Sequence, residues 1–531
     1  MTGSDLRPAF HACERPAGPR MTPGRTVNFV NRWLLALLLL LPAAPAMAQR
    51  EPVLEGGRTG EVLGQADAAF LRWKAEAHAP GLVWGVVRDG KLVFLSVHGV
   101  QDVDAKRPVG PTTRFRIASM TKAFTALAIL SLRDAGKLSL DDPAEKYVPE
   151  MRGWRYPTTD SPRIRVRDLL GHVAGLVTDD PWGDRQQVLT QPEFTRMIAQ
   201  GVPFSRAPQS GHEYSNYGYA LLGRIVSNVS GMPYRAYVER TILRPLGMND
   251  TGFEVRDVPD TLLARGYRWE NDAWSPEPVM RDGAFNAMGG LVTTANDYAK
   301  WVRFLLSGWP ARDGADAGLV KRATIREIAQ GSNFVQYRQR PGGDATTCRQ
   351  AGAYGMGWRI GVDCDLGLTL SHGGGYPGYG SHVLLLPEAG VGIFAFANRT
   401  YAGPSAPVWD AALALLKAGE LRGAAIQPAP ALVEMQQAAR AAYTSGNLAP
   451  LEGKLAMNFL LDRSAENWAK EFARLKTVVG ECPTAEPLAP SGNLSTAFRW
   501  NCIRGKLDGQ ILLAPTTPPT IQALRFTPQP N

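Results

Sequence analysis

The sequence predicts an α+β protein in which helices flank one antiparallel sheet. Two apolar runs at residues 82–87 and 91–97 are separated by Asp89-Gly90, a pair that is typical of a tight β-hairpin turn. Strand-like patterns return after a long helical stretch, at residues 357–362, 367–370, 381–386 and 392–398. Because strands occur at both ends with helices between them, we expect the hairpin and the late strands to join in one sheet, beside a mainly helical subdomain.

The middle of the chain has helical periodicity and helix-ending residues. Helices are predicted at residues 64–77, 120–135, 164–170, 219–230 and 294–307. A segment rich in Gly, Arg and Gln, at residues 331–353, is predicted to be a loop.

The first 48 residues have the pattern of a secretory signal peptide. Arg25 and Arg32 precede the apolar run 33–41, and the small-residue site 46–48 follows it. The run is shorter than an ordinary membrane span, so an uncleaved anchor is the less favoured alternative. We expect no transmembrane span in the mature chain.

Cleavage is expected between Ala48 and Gln49, which makes the mature protein periplasmic or secreted. The first twenty residues are polar and add nothing to this signal, so Met21 is a candidate start of translation.

The chain has 531 residues, 44% hydrophobic and 20% charged, which is the composition of an ordinary globular protein with more than one domain. Its formal net charge is +9, but the basic residues are scattered and form no run interleaved with aromatic residues. We therefore expect no nucleic-acid partner.

A Gly, Ala and Pro-rich stretch at residues 419–430 predicts a linker. It separates a domain of residues 49–418 from a small α+β domain of residues 431–531. The small domain contains no serine–base or metal pattern that we recognise. It could bind substrate, mediate association or brace the fold.

Four cysteines remain after the expected cleavage: Cys348, Cys364, Cys482 and Cys502. Export to an oxidising compartment favours disulfides, and proximity in sequence favours Cys348 with Cys364 and Cys482 with Cys502. Free buried thiols are the alternative.

Ser119 and Lys122 lie at the start of the apolar helix predicted from residue 120. Free backbone N–H groups at a helix N-terminus favour developing negative charge, and a lysine three residues on lies on the same face as the serine. Burial of that lysine would be costly unless it were paired or largely neutral, and such a lysine can activate a serine. Alone, this pattern is more often a capping serine beside a solvent-exposed lysine.

Two further motifs follow in order. The first is Tyr214-Ser215-Asn216, before the helix at residue 219, and the second is His372-Gly373-Gly374, continued by Gly375. Taken singly, each is more often structural. His172, which has no second ligand or base near it in sequence, is expected to be structural.

In this ordered trio the sequence resembles the serine β-lactamase and penicillin-binding-protein superfamily, and most of all its class C β-lactamases, D,D-carboxypeptidases and related esterases. The resemblance covers about residues 62–416 and includes further matching stretches at 167–172, 245–248 and 373–378. It implies a serine β-lactamase-like fold and catalysis without a metal or cofactor.

The resemblance also implies a role for each motif residue. Ser119 would attack a carbonyl and form an acyl-enzyme, with Lys122 holding its hydroxyl and moving its proton. Tyr214 would act as general base and as proton donor to the leaving group, provided that cations, Lys122 above all, lower its pKa from about 10. Asn216 would orient the substrate and Lys122.

The third motif would bind substrate through His372, Gly373 and Gly374. The backbone N–H groups of Ser119 and Gly375 would form the oxyanion hole. Class C β-lactamases have a lysine at the position of His372, and a histidine is largely neutral at pH 7 unless its pKa is raised. This difference disfavours efficient β-lactam hydrolysis.

The sequence thus predicts an exported serine hydrolase that acts on a small ester, amide or peptide bond. The alternatives are a β-lactamase or D,D-carboxypeptidase, and a catalytically inactive protein that binds a ligand or the cell wall. The G-x-S-x-G elbow of α/β-hydrolases and the H-E-x-x-H zinc motif are absent from the sequence. The oligomeric state and natural substrate are left open.

Overall fold

The structure is a computed structural model that describes residues 53–54, 57–316, 318–340, 349–421 and 428–531. The predicted signal peptide, Cys348 and residues 422–427 of the predicted linker lie outside the described residues. Among the helices that are described, none combines the length and the apolar character needed to cross a membrane.

The strands that precede residue 398 are β1 (Val53–Leu54), β2 (Gly81–Arg88), β3 (Lys91–Asp102), β4 (Arg107–Pro108), β5 (Phe115–Arg116), β6 (Tyr267–Glu270), β7 (Ala273–Pro276), β8 (Val292–Thr293), β9 (Asn333–Gln339), β10 (Arg349–Tyr354), β11 (Arg359–Asp363), β12 (Gly367–Tyr376), β13 (Tyr379–Leu386) and β14 (Val391–Ala397). Ten of the described strands form one sheet in the order β1-β3-β2-β14-β13-β12-β11-β10-β9, with β4 paired to β3. All of these pairs are antiparallel.

The hairpin of β2 and β3 follows from its turn residues. Asp89 and Gly90 have φ angles of 49° and 77°, the left-handed conformation that a two-residue turn of this kind requires. β2 then pairs with β14, so the hairpin and the late strands share one sheet, as the sequence predicted.

The helices up to residue 417 are α1 (Arg58–Glu76), α2 (Thr121–Asp134), α3 (Val166–Leu170), α4 (Trp182–Arg185), α5 (Gln191–Gln200), α6 (Asn216–Ser230), α7 (Tyr234–Val238), α8 (Asn286–Gly289), α9 (Ala295–Leu306), α10 (Arg322–Ile328) and α11 (Ser405–Lys417). Helices α1 and α11 cover one face of the sheet, where Phe70 stacks on Trp84 and Trp409 is buried. The other face packs on a larger core that includes α2, α6 and α9.

The prediction of a loop at residues 331–353 is wrong. β9 and β10 occupy much of this segment as the last two strands of the sheet. β9 is an edge strand with one unpaired side, and both β9 and its neighbour β10 carry polar side chains, so their sequence lacks the apolar run of a central strand. Phe334 of β9, for example, is 69% exposed.

The C-terminal segment contains α12 (Pro430–Ser445), α13 (Phe459–Asp462), α14 (Ala465–Val479), β15 (Thr484–Ala485), β16 (Ala489–Pro490), β17 (Ser495–Cys502), β18 (Gly505–Ala514) and β19 (Thr520–Pro530). Its helices and sheet enclose a core of their own, centred on Tyr443, Phe472 and Trp500. β19 was not predicted from the sequence.

A disulfide joins Cys482 and Cys502, the pairing that their proximity predicted. It connects the end of α14 to the end of β17. The pairing of Cys364 with Cys348 stays a prediction, because Cys348 lies outside the described residues.

Candidate active site

Ser119 lies in a short 3-10 turn, Ala118–Met120, that leads directly into α2. Ala118 has a φ of 48°, a conformation that costs energy for a residue with a Cβ atom and that concentrates at functional sites. β5 lies just before the turn and pairs with β8, and this pairing anchors the chain at the N-terminus of α2. The strained turn presents Ser119, which is 8% exposed, at the end of a buried helix.

Lys122 is completely buried, one turn into α2. Its Nζ donates hydrogen bonds to Ser119 Oγ at 3.0 Å, Asn216 Oδ1 at 2.7 Å and the carbonyl oxygen of Met288 at 2.7 Å. Burial lowers the pKa of Lys122 from its usual 10.5 to about 8, against the opposing charges of Asp180, Asp184 and Asp179. An amine with such a pKa is partly neutral near physiological pH and can accept a proton.

Asn216 is the first residue of α6, and two consecutive aspartates hold it there. Asp179 accepts hydrogen bonds from the backbone N–H groups of Asn216 at 2.6 Å and Tyr217 at 2.8 Å. The Asn216 side-chain amide donates to Asp180 Oδ1, which leaves Oδ1 of Asn216 to accept from Lys122. Asn216, at the start of α6, therefore holds the ammonium of Lys122, which extends from α2.

Tyr214 packs its ring against His172, with the centroids 4.3 Å apart, and Lys122 Nζ lies 4.9 Å from the Tyr214 ring centroid. Burial raises the pKa of Tyr214 well above 10, and a hydrogen bond to Ser119 and the charge of Arg359 oppose this only in part. The expectation that Lys122 lowers this pKa is therefore wrong. Tyr214 is a neutral phenol that can donate a proton.

His172 belongs to this site, although the sequence predicted only a structural role. Its Nδ1 accepts a hydrogen bond from the backbone N–H of Ser215 at 3.0 Å, between the two motif residues Tyr214 and Asn216. Its left-handed backbone, with a φ of 57°, turns the chain after α3. His172 thus positions the second motif by a hydrogen bond and by ring contact.

His372 lies on β12 and is 3% exposed. Its Nδ1 is 2.6 Å from the carbonyl oxygen of Gly373, which can only accept, so Nδ1 carries the proton. Nε2 then accepts a hydrogen bond from the Tyr354 hydroxyl at 2.9 Å. Burial lowers the pKa of His372 well below 6.5, and the charges of Arg359 and Lys122 lower it further.

Gly374 and Gly375 bring β12 against the Ser119 turn. A Cβ on Gly374 would lie 2.2 Å from Ser381 Oγ and 2.3 Å from the carbonyl oxygen of Ile117, so only glycine fits there. Ser381 Oγ donates to the same Ile117 oxygen at 2.9 Å, which ties β13 to the turn. Ser119 and Gly375 consequently border one cavity.

That cavity has a volume of about 660 Å³ and brings together residues from all three motifs. Ser119, Tyr214, His372 and the glycines 373–375 line it. Lys122 lies behind Ser119 and is hydrogen-bonded to it, and Asn216 in turn accepts a hydrogen bond from Lys122. All the residues that the sequence predicted for catalysis and substrate binding therefore lie at or directly behind one cavity.

A sequence profile of the Beta-lactamase family matches residues 62–418. The chain belongs to the Beta-lactamase family. Membership supports a serine hydrolase of the β-lactamase or penicillin-binding-protein type that acts on small molecules, and it identifies no substrate.

This Beta-lactamase family member is 30% identical over 348 residues to Protein flp of Staphylococcus aureus strain COL, a match that covers 64% of each protein. It is 31% identical over 298 residues to Beta-lactamase-like protein 2 of Dictyostelium discoideum, covering 54% of this chain and 53% of that protein. Both matches span less than two thirds of the relatives' length.

The solved structure of the octameric penicillin-binding protein homologue from Pyrococcus abyssi has a TM-score of 0.57 and 23% sequence identity to this family member. The similarity covers 85% of this chain and 96% of that chain. It shows a shared fold, which is the serine β-lactamase-like fold that the motifs predicted.

Three charged residues that line the cavity were missed by sequence analysis: Asp180, Asp184 and Arg359. Burial raises the pKa of Asp184 to about 7, and the charge of Asp180 contributes. The Tyr401 hydroxyl donates to Asp184 at 3.1 Å. The only signal for Arg359 was a charged residue within the strand pattern 357–362, a position where a side chain can face a cavity.

Proposed function

We propose that this Beta-lactamase family member is an exported serine hydrolase that cleaves a small ester, amide or peptide bond through an acyl-enzyme on Ser119. The observation that carries the proposal is the 3.0 Å hydrogen bond between Ser119 Oγ and the fully buried Lys122 Nζ. A buried lysine with a lowered pKa, held by Asn216 and the Met288 carbonyl, is suited to activating a serine.

The neutral form of Lys122 has two N–H groups, which suffice for Asn216 and the Met288 carbonyl. Its lone pair therefore faces the Ser119 hydroxyl. In the first step, Ser119 Oγ attacks the carbonyl carbon of the substrate and its proton passes to this lone pair. The negative charge on the carbonyl oxygen is stabilised by the backbone N–H groups of Ser119 and Gly375. This assignment is supported by the position of both residues in the lining of the catalytic cavity.

The tetrahedral intermediate then collapses, and the bond between the carbonyl carbon and the leaving group breaks. Tyr214 donates its proton to that leaving group and recovers one from Lys122. The raised pKa of Tyr214 supports this role as donor, since a neutral phenol has a proton to give. Water then attacks the acyl carbon and gives its proton to neutral Lys122. The bond between the acyl carbon and Ser119 Oγ breaks as Lys122 returns that proton to Oγ, and the acid is released.

Export is supported by the predicted signal peptide and by the disulfide between Cys482 and Cys502, which persists in oxidising compartments. We propose residues 49–418 as the hydrolase domain and residues 431–531 as an accessory domain. The separate hydrophobic core of the C-terminal segment supports that division.

A second candidate function is favoured by Arg359. Its permanent positive charge borders the cavity beside His372, which is neutral at pH 7. A guanidinium there fits the carboxylate of a β-lactam or of a peptide C-terminus. A β-lactamase or D,D-carboxypeptidase is therefore the nearest alternative to an esterase, whereas the complete set of proton-transfer groups argues against an inactive binding protein.

The test is to incubate the mature protein with a short-chain ester, a β-lactam or a D-amino-acid amide and to measure intact mass. A mass increase in the wild type that is absent from Ser119→Ala would identify Ser119 as the nucleophile, and turnover should fall by at least about 1,000-fold in that variant. A long-lived β-lactam adduct would favour the penicillin-binding alternative. Full activity in Ser119→Ala would exclude the proposal.

A further inference from the structure

A second pocket of about 360 Å³ lies beside the catalytic cavity. Its wall is built from the segment after α3, from α4 and α5 and from the start of α6. The apolar side chains that line it are Leu176, Val177, Trp182, Met197, Val202 and Tyr217. Val177 and Trp182 are about half exposed, at 49% and 50%, so the pocket opens to solvent.

Two polar side chains in this wall, those of Asp179 and Ser215, are already hydrogen-bonded to the backbone of α6, whereas the buried hydroxyl of Tyr217 has no hydrogen-bond partner among the described residues. The Asp179 carboxylate accepts from two backbone N–H groups of α6. The Ser215 hydroxyl accepts from the backbone N–H of Gly218 at 3.2 Å, as the cap of the same helix. The wall therefore offers apolar contact, and an uncharged hydrocarbon group is the chemistry that it suits.

The pocket adjoins the catalytic cavity. Thr178 lines both of them, and Asp179 and Ser215 of the pocket wall are neighbours in sequence of Asp180 and Tyr214 of the cavity wall. A substrate whose carbonyl carbon lies at Ser119 would pass Thr178 to reach the pocket.

We propose that this pocket is the acyl-chain subsite of the enzyme and that it binds an aliphatic acyl chain of several methylene groups. The inference rests on the proposed function and deepens it. The leaving group must lie against Tyr214, which donates its proton, and Tyr214 is surrounded by His172, Tyr354 and His372 rather than by the pocket. The apolar pocket is thus left for the acyl portion.

The test compares acetyl and hexanoyl esters that share one leaving group. Each fully buried methylene is worth about a fourfold gain, so the hexanoyl ester, with four more methylenes, should have a kcat/KM that is higher by roughly 10-fold if burial is partial and by about 250-fold if burial is complete. A second pair of esters with a constant acetyl group and a longer leaving group should show no comparable gain. A gain in the second pair alone would overturn the assignment of the pocket to the acyl chain.

Val202→Trp fills the pocket and should reduce the hexanoyl-to-acetyl ratio of kcat/KM by at least about tenfold. Val362→Trp, on the exposed face of β11, is the matched control and should keep the wild-type ratio. Should Val202→Trp fail to fold, Trp182→Ala removes one wall from a half-exposed position and should lower the same ratio. An unchanged ratio in a folded pocket variant would overturn the proposal.

Binding to the Ser119→Ala protein separates this proposal from the catalytic one. By calorimetry, hexanoate should bind at least about tenfold more tightly than acetate, and Val202→Trp in the same background should remove the difference. If hexanoate binds in this way but no ester is cleaved, the subsite stands and the hydrolase proposal fails. If esters are cleaved without any chain-length preference in rate or binding, the hydrolase proposal stands and the subsite fails.

Discussion

Tyr354 donates a 2.9 Å hydrogen bond to Nε2 of His372 and so fixes which ring nitrogen carries the proton. The proton must lie on Nδ1, which faces the Gly373 carbonyl oxygen. Protonation of Nε2 would break the hydrogen bond from Tyr354 and add a charge beside Arg359 and Lys122. The third motif therefore presents a neutral imidazole, and the positive charge of this wall comes from the neighbouring strand β11.

We expect His372 to stay neutral throughout the range in which the enzyme is active. Because burial and two neighbouring cations lower its pKa well below 6.5, the ring should show no titration between pH 6 and 9. ¹⁵N NMR of histidine-labelled protein, assigned with a His372→Gln variant, measures this directly. A midpoint within that range would contradict the assigned tautomer.

Arg359→Ala should lower kcat/KM selectively for substrates that carry a carboxylate. A charge-assisted hydrogen bond contributes about 1.5–3 kcal/mol, so kcat/KM for a carboxylate-bearing substrate should fall roughly 10- to 150-fold. For an uncharged ester of similar size, kcat/KM should fall much less. Arg167→Ala, at an exposed arginine outside the cavity, serves as control. Equal losses on both substrates would argue for a structural role of Arg359.

The rate should rise with pH through the titration of Lys122. Burial lowers the pKa of this ammonium to about 8. Below that pH the protonated form predominates and cannot accept the Ser119 proton, whereas above it the neutral amine is available. A profile of kcat/KM against pH should therefore have its rising limb near pH 8, and a rate that is flat from pH 6 to 10 would exclude Lys122 as the base.

Asp184→Asn should move the rising limb of the kcat/KM profile to lower pH. The charge of Asp184, after that of Asp180, raises the pKa of Lys122 against the effect of burial, so removing it favours the neutral amine. The substitution keeps an oxygen that can accept from the Tyr401 hydroxyl. Asp89→Asn, in the exposed β2–β3 turn, should leave the profile unchanged. A shift to higher pH would show that the sign of this interaction is wrong.

The sequence indicated which residues meet at the candidate site because three short motifs, taken together and in order, carry them. Ser119 and Lys122 are one helical turn apart, and Gly374 is required where β12 approaches the Ser119 turn. The hairpin at Asp89-Gly90 was equally local, since both residues adopt left-handed backbone angles.

What the sequence did not reveal depends on contacts between distant segments. Arg359 borders the cavity because β11 pairs with β12, with Arg359 opposite Ser371. Asp180 acts on Asn216 across 36 residues of sequence. The raised pKa of Tyr214 follows first from burial, and the rings of His172, Tyr354 and His372, which are distant in sequence, pack around it, so no motif could predict it.

Removal of the disulfide should destabilise the C-terminal core more than the catalytic one. Cys482 and Cys502 are 20 residues apart, and a loop of that length contributes about 3 kcal/mol by restricting the unfolded chain. The bond holds β17, and thus the buried Trp500, against α14. In Cys482→Ser/Cys502→Ser protein, denaturation followed by tryptophan fluorescence should show a transition shifted to lower denaturant. Ester turnover measured below that transition should be nearly unchanged, because α2, which carries Lys122, packs in a different core. A parallel loss of activity would show that the two cores unfold as one unit.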